Sequence, residues 1–178
     1  MNDLILEQVT KGFGAHVVLR KFSTRFPGGQ CTFILGLEQP DSGRILGQTF
    51  PMAAVFQENR LFEDFSALSN VTAVCPRERR SEAAQHLIAL GLGESLHAPV
   101  RTLSGGMKRR VAVARAVLAP GEILILDEPF TGLDRDTKAA VLEYLKAHTK
   151  GRTLLLVTHD PAERDALAQH VLDMTPAV

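Results

Sequence analysis

Leu103-Ser104-Gly105-Gly106-Met107-Lys108-Arg109-Arg110-Val111-Ala112-Val113-Ala114-Arg115-Ala116 is followed by Ile123-Leu124-Ile125-Leu126-Asp127-Glu128-Pro129 and then by Thr131-Gly132-Leu133-Asp134. This stretch decides the fold. A small polar loop opens a helix, a buried strand delivers two carboxylates, and a turn follows. Ser104, Gly105 and Gly106 are expected to leave backbone N–H groups free at the helix start, which makes an anion site. Met107, Val111, Ala114 and Leu118 fall at helical spacing, so that face is expected to pack inward. Pro120-Gly121 stops the helix. Residues 123–126 are continuously apolar and too few for a helix, which suits a strand buried on both faces. Ligands of open parallel sheets sit beyond the carboxyl ends of strands, where Asp127 and Glu128 lie.

In this order and spacing the three segments closely resemble the nucleotide-binding subunit of ATP-binding cassette (ABC) transporters. Residues 103–106 look like its signature motif, 123–128 like its Walker B strand and 131–134 like its D-loop. The resemblance spans nearly the whole chain. It implies an α/β fold: a P-loop NTPase-like ABC ATPase core with an antiparallel β subdomain and a helical subdomain. The whole chain, 1–178, is then one domain, with 1–59 and 103–178 forming the core and about 60–102 the helical lobe.

Composition fits that reading. The chain has 178 residues, enough to bury a core as one domain. Twenty basic and twenty acidic residues cancel, which leaves no basic footprint for nucleic acid. Cys31 and Cys75 are too few for a disulfide framework or a zinc site, so a reducing cytosol is expected. The start lacks the pattern of a signal peptide, and no apolar run approaches the ~20 residues that span a bilayer. The resemblance leads one to expect that the extra regulatory domain of some importer ATPases is missing.

Elsewhere, residues 4–9, 15–19, 22–26, 31–35 and 52–56 read as strands. Ser81 is expected to cap a helix with Ala84, Leu87 and Ile88 on its inner face, ended by Gly91. Residues 137–148 read as a helix with Val141, Leu142 and Leu145 inward. A strand follows at 153–157, then a helix at 161–168 and a strand at 170–174. His16, His86, His97, His148 and His170 are read as structural or exposed.

Gly36 departs from the family pattern. There the family has a phosphate loop, G-x-x-x-x-G-K-[ST], and then a helix. Here Leu37-Glu38-Gln39-Pro40-Asp41-Ser42-Gly43 follows at once. The gap is on the order of fifteen residues. So short a route cannot replace a helical crossover, and one face of the sheet is expected to lose its cover.

The resemblance implies ATP and Mg²⁺ as cofactors and phosphoryl transfer to water as the chemistry. Phe13 would stack on adenine, and Gly36 marks the remnant of the phosphate site. Asp127 would hold Mg²⁺, with Gln57 of the Q-loop reaching the metal and water. Glu128 would orient or deprotonate that water, and His159 would contact the γ-phosphate. Ser104, Gly105 and Gly106 would close on the γ-phosphate of a second ABC ATPase subunit, and Asp134 of the D-loop is also implied to bind nucleotide. A transmembrane permease is the other partner, its short helix meeting Phe62, Phe65 and Leu68 within a rim of Arg60, Glu63 and Asp64. The expected location is cytoplasmic, on the inner face of the cell membrane. The importer layout points weakly to nitrate, sulfonate or thiamine transport. Without the loop the chain is expected to be inactive alone. The alternative is a non-catalytic partner lending its signature motif to an intact ATPase. A soluble ABC protein of DNA repair or translation fits less well, given the neutral charge and the lack of coiled-coil arms.

Overall fold

The computed structural model describes residues 3–13, 16–26, 31–32, 41–46 and 51–167. In chain order its elements are β1 (Leu4–Phe13), β2 (His16–Phe26), β3 (Cys31–Thr32), β4 (Ser42–Leu46) and β5 (Met52–Val55). Then come α1 (Ala67–Thr72), α2 (Ala83–Ala89), α3 (Gly105–Leu118) and β6 (Ile123–Asp127). The last are α4 (Arg135–His148), β7 (Thr153–Val157) and α5 (Pro161–Leu167). Short 3₁₀ turns at Arg77–Glu82, Gly93–Ser95 and Val100–Thr102 accompany α1 and α2. The expected strand at 170–174, residues 33–35 of the expected strand 31–35, and Gly36 lie outside the described residues.

A four-stranded sheet in the order β3-β7-β6-β5 forms the centre, and β2-β1-β4 forms an antiparallel sheet. The paired central strands are all parallel. Five consecutive buried residues in β7 follow from that position, since a parallel strand covered on both faces has no polar side. Leu124, Leu126, Leu154 and Leu156 point into one cluster with α3, α4 and the helices of residues 67–89. Ile123 and Leu155 point the other way.

That second face is not left open, which corrects the expectation drawn from the missing crossover. Leu4, Leu6, Val9 and Phe26 of the antiparallel sheet pack with Ile123 and Leu155. Sheet-on-sheet packing buries the apolar face that a helix would otherwise cover.

Three further expectations change. Residues 16–19 and 22–26 belong to one strand, β2, paired along β1, and Ala15 lies outside the described residues. Lys21 takes a left-handed conformation (φ 47°), and its N–H donates to Thr10 Oγ1 at 3.0 Å, so the strand kinks without ending. Residues 42–46 form β4, which was not expected. In α2, Ala83 and Leu87 are fully buried while Ile88 is 55% exposed. Ser81 lies in the preceding 3₁₀ turn and caps nothing; the N-cap position is Glu82, whose side chain makes no capping bond and accepts from Arg79 instead. His86 and His148 pack with Tyr144, and His86 Nδ1 lies 2.7 Å from the Tyr144 hydroxyl, joining α2 to α4.

α3 starts where the polar loop predicts. Ser104 Oγ accepts from the Met107 N–H at 3.2 Å and so caps the helix. Ala119 leaves the helix in an extended conformation, as a residue before proline must. Val111, Ala114 and Leu118 are fully buried. So are Ala112, Val113, Ala116 and Val117, because this helix lies inside the protein with neighbours on every side.

Candidate functional site

Parallel register assembles the site. Val55 pairs with Leu126, and Leu126 with Leu156. The chain segments leaving β5, β6 and β7 therefore emerge side by side, carrying Gln57, Asp127 with Glu128, and His159. This is the carboxyl edge where open sheets bind ligands.

Glu128 and His159 are brought together. His159 Nδ1 lies 2.8 Å from Glu128 Oε1. Glu128 stands in the left-handed region (φ 47°), uncommon for a residue with a Cβ. Its N–H donates to the Val157 carbonyl at 2.9 Å, which locks the turn onto β7. Thr131 Oγ1 donates to the other carboxylate oxygen at 3.5 Å. The His159 loop is braced in turn. Lys138 of α4 pairs with Asp160 at 2.9 Å and with Glu163 at 2.5 Å. Glu163 is buried and accepts from the Thr158 hydroxyl. Neither Lys138 nor Glu163 has a sequence signal, since their roles arise only from contacts between elements; Thr131 lies in the 131–134 motif, but its bond to Glu128 is seen only in the structure.

Charges follow from this geometry. The Glu128 carboxylate that accepts from His159 raises the imidazole pKa above the usual 6.5, with Glu163 and Asp160 adding to it. Burial raises the Asp127 carboxyl, the neighbouring Glu128 charge raises it further, and Arg109 partly opposes both. A group with a raised folded pKa favours the protonated fold below its unfolded value. The His159–Glu128 contact thus contributes fully below about pH 6.5 and fades as pH rises through the folded pKa. Glu128→Gln is expected to lower the His159 titration midpoint in an imidazole NMR titration. An unmoved midpoint would exclude the pairing.

Gln57 has an exposed side chain, and its carbonyl is taken by Arg109 Nη2. Phe13 ends β1 opposite His16; its side chain and Gly36 fall outside the described residues.

The remaining predicted residues form a second feature. Ser104, Gly105, Gly106 and Asp134 line a cleft of about 510 Å³, with Thr131 and Arg110 among its walls. Thr131 thereby joins the cleft to Glu128. A Cβ on Gly106 would sit 3.2 Å from the Gly132 carbonyl oxygen, so the helix start and the 131–134 turn are in close approach. A Cβ on Gly105 would meet nothing within 4 Å; its face is open to the cleft. Asp134 is engaged as the N-cap of α4, accepting from the Asp136 N–H at 3.1 Å, the Thr137 N–H at 2.9 Å and the Thr137 hydroxyl at 2.7 Å. Those bonds hold its carboxyl below the usual range.

The described residues contain no group of three or more His, Cys, Asp or Glu able to cage a metal. Magnesium does not require one: it keeps several waters and takes one or two carboxylates, and Asp127 beside Glu128 supplies that donor set. Burial and then the Glu128 charge disfavour the ionised Asp127 carboxyl, and a divalent cation would relieve both.

Comparison with known proteins gives a consistent picture. The family model for ABC transporters matches residues 30–131. The aliphatic sulfonates import ATP-binding protein SsuB 2 of Pseudomonas fluorescens is 33% identical over 193 residues, covering 95% of this chain and 72% of that protein. SsuB of Escherichia coli is also 33% identical, with 95% and 76% covered. Both alignments are longer than the 178 residues of the chain, so these relatives carry segments that it lacks. The ATP-binding cassette MJ0796, solved as a dimer in a post-hydrolysis state with ADP and Pi, superposes with a TM-score of 0.78. It is 24% identical, over 92% of this chain and 91% of that one, a likeness of fold.

Proposed function

Because the chain belongs to the ABC transporter family of ATP-binding proteins, we propose that it is the ATP-binding subunit of a bacterial small-solute importer, of the class that takes up organic sulfonates, impaired by loss of its phosphate-binding loop. The sulfonate class rests on its relatives' names. The observation that carries the reading is the Glu128–His159 pair at the strand ends, linked through Thr131 to the cleft of Ser104, Gly105, Gly106 and Asp134.

In this reading Asp127 and Gln57 would hold Mg²⁺. When bound, Mg²⁺ neutralises phosphate charge. Glu128 accepts the proton of, or orients, the attacking water. Its bond to His159 Nδ1 raises the charged fraction of the imidazole, which fits contact with an anionic phosphate. Phe13 is proposed to stack on adenine, and Gly36 to border the phosphates.

Gly105, open to the cleft, favours a second reading: the chain lends residues 104–106 to the nucleotide of an intact ATPase and hydrolyses nothing itself. Either way it works against a permease from the cytoplasmic side. No helix among the described residues is long and apolar enough to cross a membrane.

Phe62 and Phe65 are 55% and 53% exposed, and their rings lie 5.4 Å apart. Leu68 packs inward instead, so the exposed surface is narrower than the sequence suggested. Phe62→Asp is expected to abolish co-purification with the permease while leaving the thermal melt unchanged. The reading as a whole is tested by vesicles holding the permease. Uptake of an alkanesulfonate is expected when this chain is paired with an intact ATPase or given a restored loop, and not otherwise. No association with the permease in any combination would refute it.

A further inference from the structure

The segment that leaves β5 carries Gln57 and the exposed pair Phe62 and Phe65, and it lacks regular secondary structure until α1. Residues 56–60 of it are held by α3, whereas residues 63–65 are held by the Val100 and Arg101 N–H groups, which donate to the Phe65 and Glu63 carbonyls at 2.9 Å. Arg109 is only 4% exposed. Its Nη1 donates to the Phe56 carbonyl and its Nη2 to the Gln57 carbonyl, both at 2.5 Å. Further along the helix, Arg115 donates to the carbonyls of Arg60 at 2.9 Å and Asn59 at 3.2 Å. Lys108 pairs with Glu63 at 2.8 Å. The loop is shaped to suit: Arg60 is left-handed (φ 44°), and its guanidinium lies 4.2 Å from the centre of the Phe56 ring. At its far end, fully buried Asn70 accepts from the Phe62 N–H and donates to the Phe62 carbonyl.

A guanidinium presents its donors in a rigid planar fork, so one side chain can hold two successive carbonyls; an ammonium is a single point. Two such forks hold four carbonyls between residues 56 and 60. Arg109 lies four residues after Gly105, about 6 Å along the helix axis. α3 is unbroken from Gly105 to Leu118 and eight of its fourteen residues are buried, which makes it a stiff link between Arg109 and Gly105.

We infer that Arg109 and Arg115 are positioning residues that fasten residues 56–60 to α3, so that a displacement at Phe62 or Gln57 reaches the helix start at Gly105 and Gly106. The functional meaning rests on the reading above, in which a permease presses on Phe62 and the helix start meets a second subunit. Helical periodicity hides both residues. Arg109 stands on the face opposite Met107 and Val111, and only burial of α3 on all sides turns it inward.

The test uses the isotopically labelled full chain and two readouts, amide chemical shifts and hydrogen exchange. Phe62→Ala is expected to shift the amide resonances of Gly105 and Gly106. In an Arg109→Lys, Arg115→Lys background, which keeps both charges but removes both forks, the same change is expected to move them by less than about a third as much. Amides 57–61 are then expected to exchange about tenfold faster or more. An undiminished shift, or wild-type exchange at 57–61, overturns the inference. Should the double variant fail to fold, Arg115→Lys alone serves: faster exchange confined to 59–61 supports the inference, and unchanged exchange overturns it. Neither readout involves ATP, a permease or transport. Loss of the proposed function therefore leaves this result standing, and the reverse holds as well.

Discussion

No phosphate release from Mg-ATP above background is expected from this chain alone, and restoring a G-x-x-x-x-G-K-[ST] segment with its helix after Gly36 is expected to bring hydrolysis back. The argument is electrostatic. A triphosphate needs a cradle of N–H groups and a lysine to offset its charge. At the edge where phosphate would lie, the chain offers Asp127 and Glu128, which repel it. Burial, and after it the Glu128 charge, already raises the Asp127 pKa. Aromatic stacking, the other source of affinity, supplies only ~1–3 kcal/mol per ring, by analogy with bases on aromatic platforms. That corresponds to millimolar binding or weaker. In the restored protein, Glu128→Gln is expected to keep ATP bound while slowing turnover about 10²–10⁴-fold, the range for loss of a general base. Ser104→Arg is expected to block closure with a second subunit, because it fills the cleft mouth beside Gly105. Phosphate release and nucleotide calorimetry on these variants check each statement. Hydrolysis by the unaltered chain that Glu128→Gln eliminates would mean that phosphate is held by other residues.

Leu124→Ala is expected to be a strongly destabilising core change. Leu124 is fully buried in β6, between β5 and β7, and belongs to the cluster that α3 and α4 share. Removing its side chain loses transfer free energy and leaves a cavity that flanking strands cannot collapse, a cost of about 2–5 kcal/mol. Domains have only about 5–15 kcal/mol in all. A denaturant melt is expected to show a much lower midpoint, and the soluble yield is expected to fall. Ile88→Ala is the contrast. Its side chain is 55% exposed, so the melt is expected to move by no more than about 0.5 kcal/mol. Equal effects at the two positions would show that the burial pattern is wrong.

The two positions also show what kind of information a sequence carries. Leu124 is legible because it lies in an unbroken apolar run bounded by Pro120-Gly121 and by Asp127-Glu128, all within a few residues. Ile88 is misleading because helical spacing allows an inner face wide enough to include it, and only the position of α2 against its neighbours narrows that face to Ala83 and Leu87. β2 was read as two strands for a similar reason. The kink at Lys21 is stabilised by Thr10, eleven residues away in sequence and on another strand.

By itself, the sequence determined the parts whose causes are local. Ser104 caps a helix because its hydroxyl reaches an N–H three residues on. Residues 123–127 and 153–157 are central strands because their apolar runs are continuous. Asp127, Glu128 and His159 lie at one edge because they end those strands. Tertiary structure alone decided what depends on contacts between distant segments. It covers the second face of the sheet with Leu4, Leu6, Val9 and Phe26. It joins Glu128 to His159, 31 residues apart. It turns Arg109 inward onto carbonyls more than fifty residues earlier. Such contacts leave no periodic trace, because one side chain meeting one backbone carbonyl repeats at no spacing along the chain.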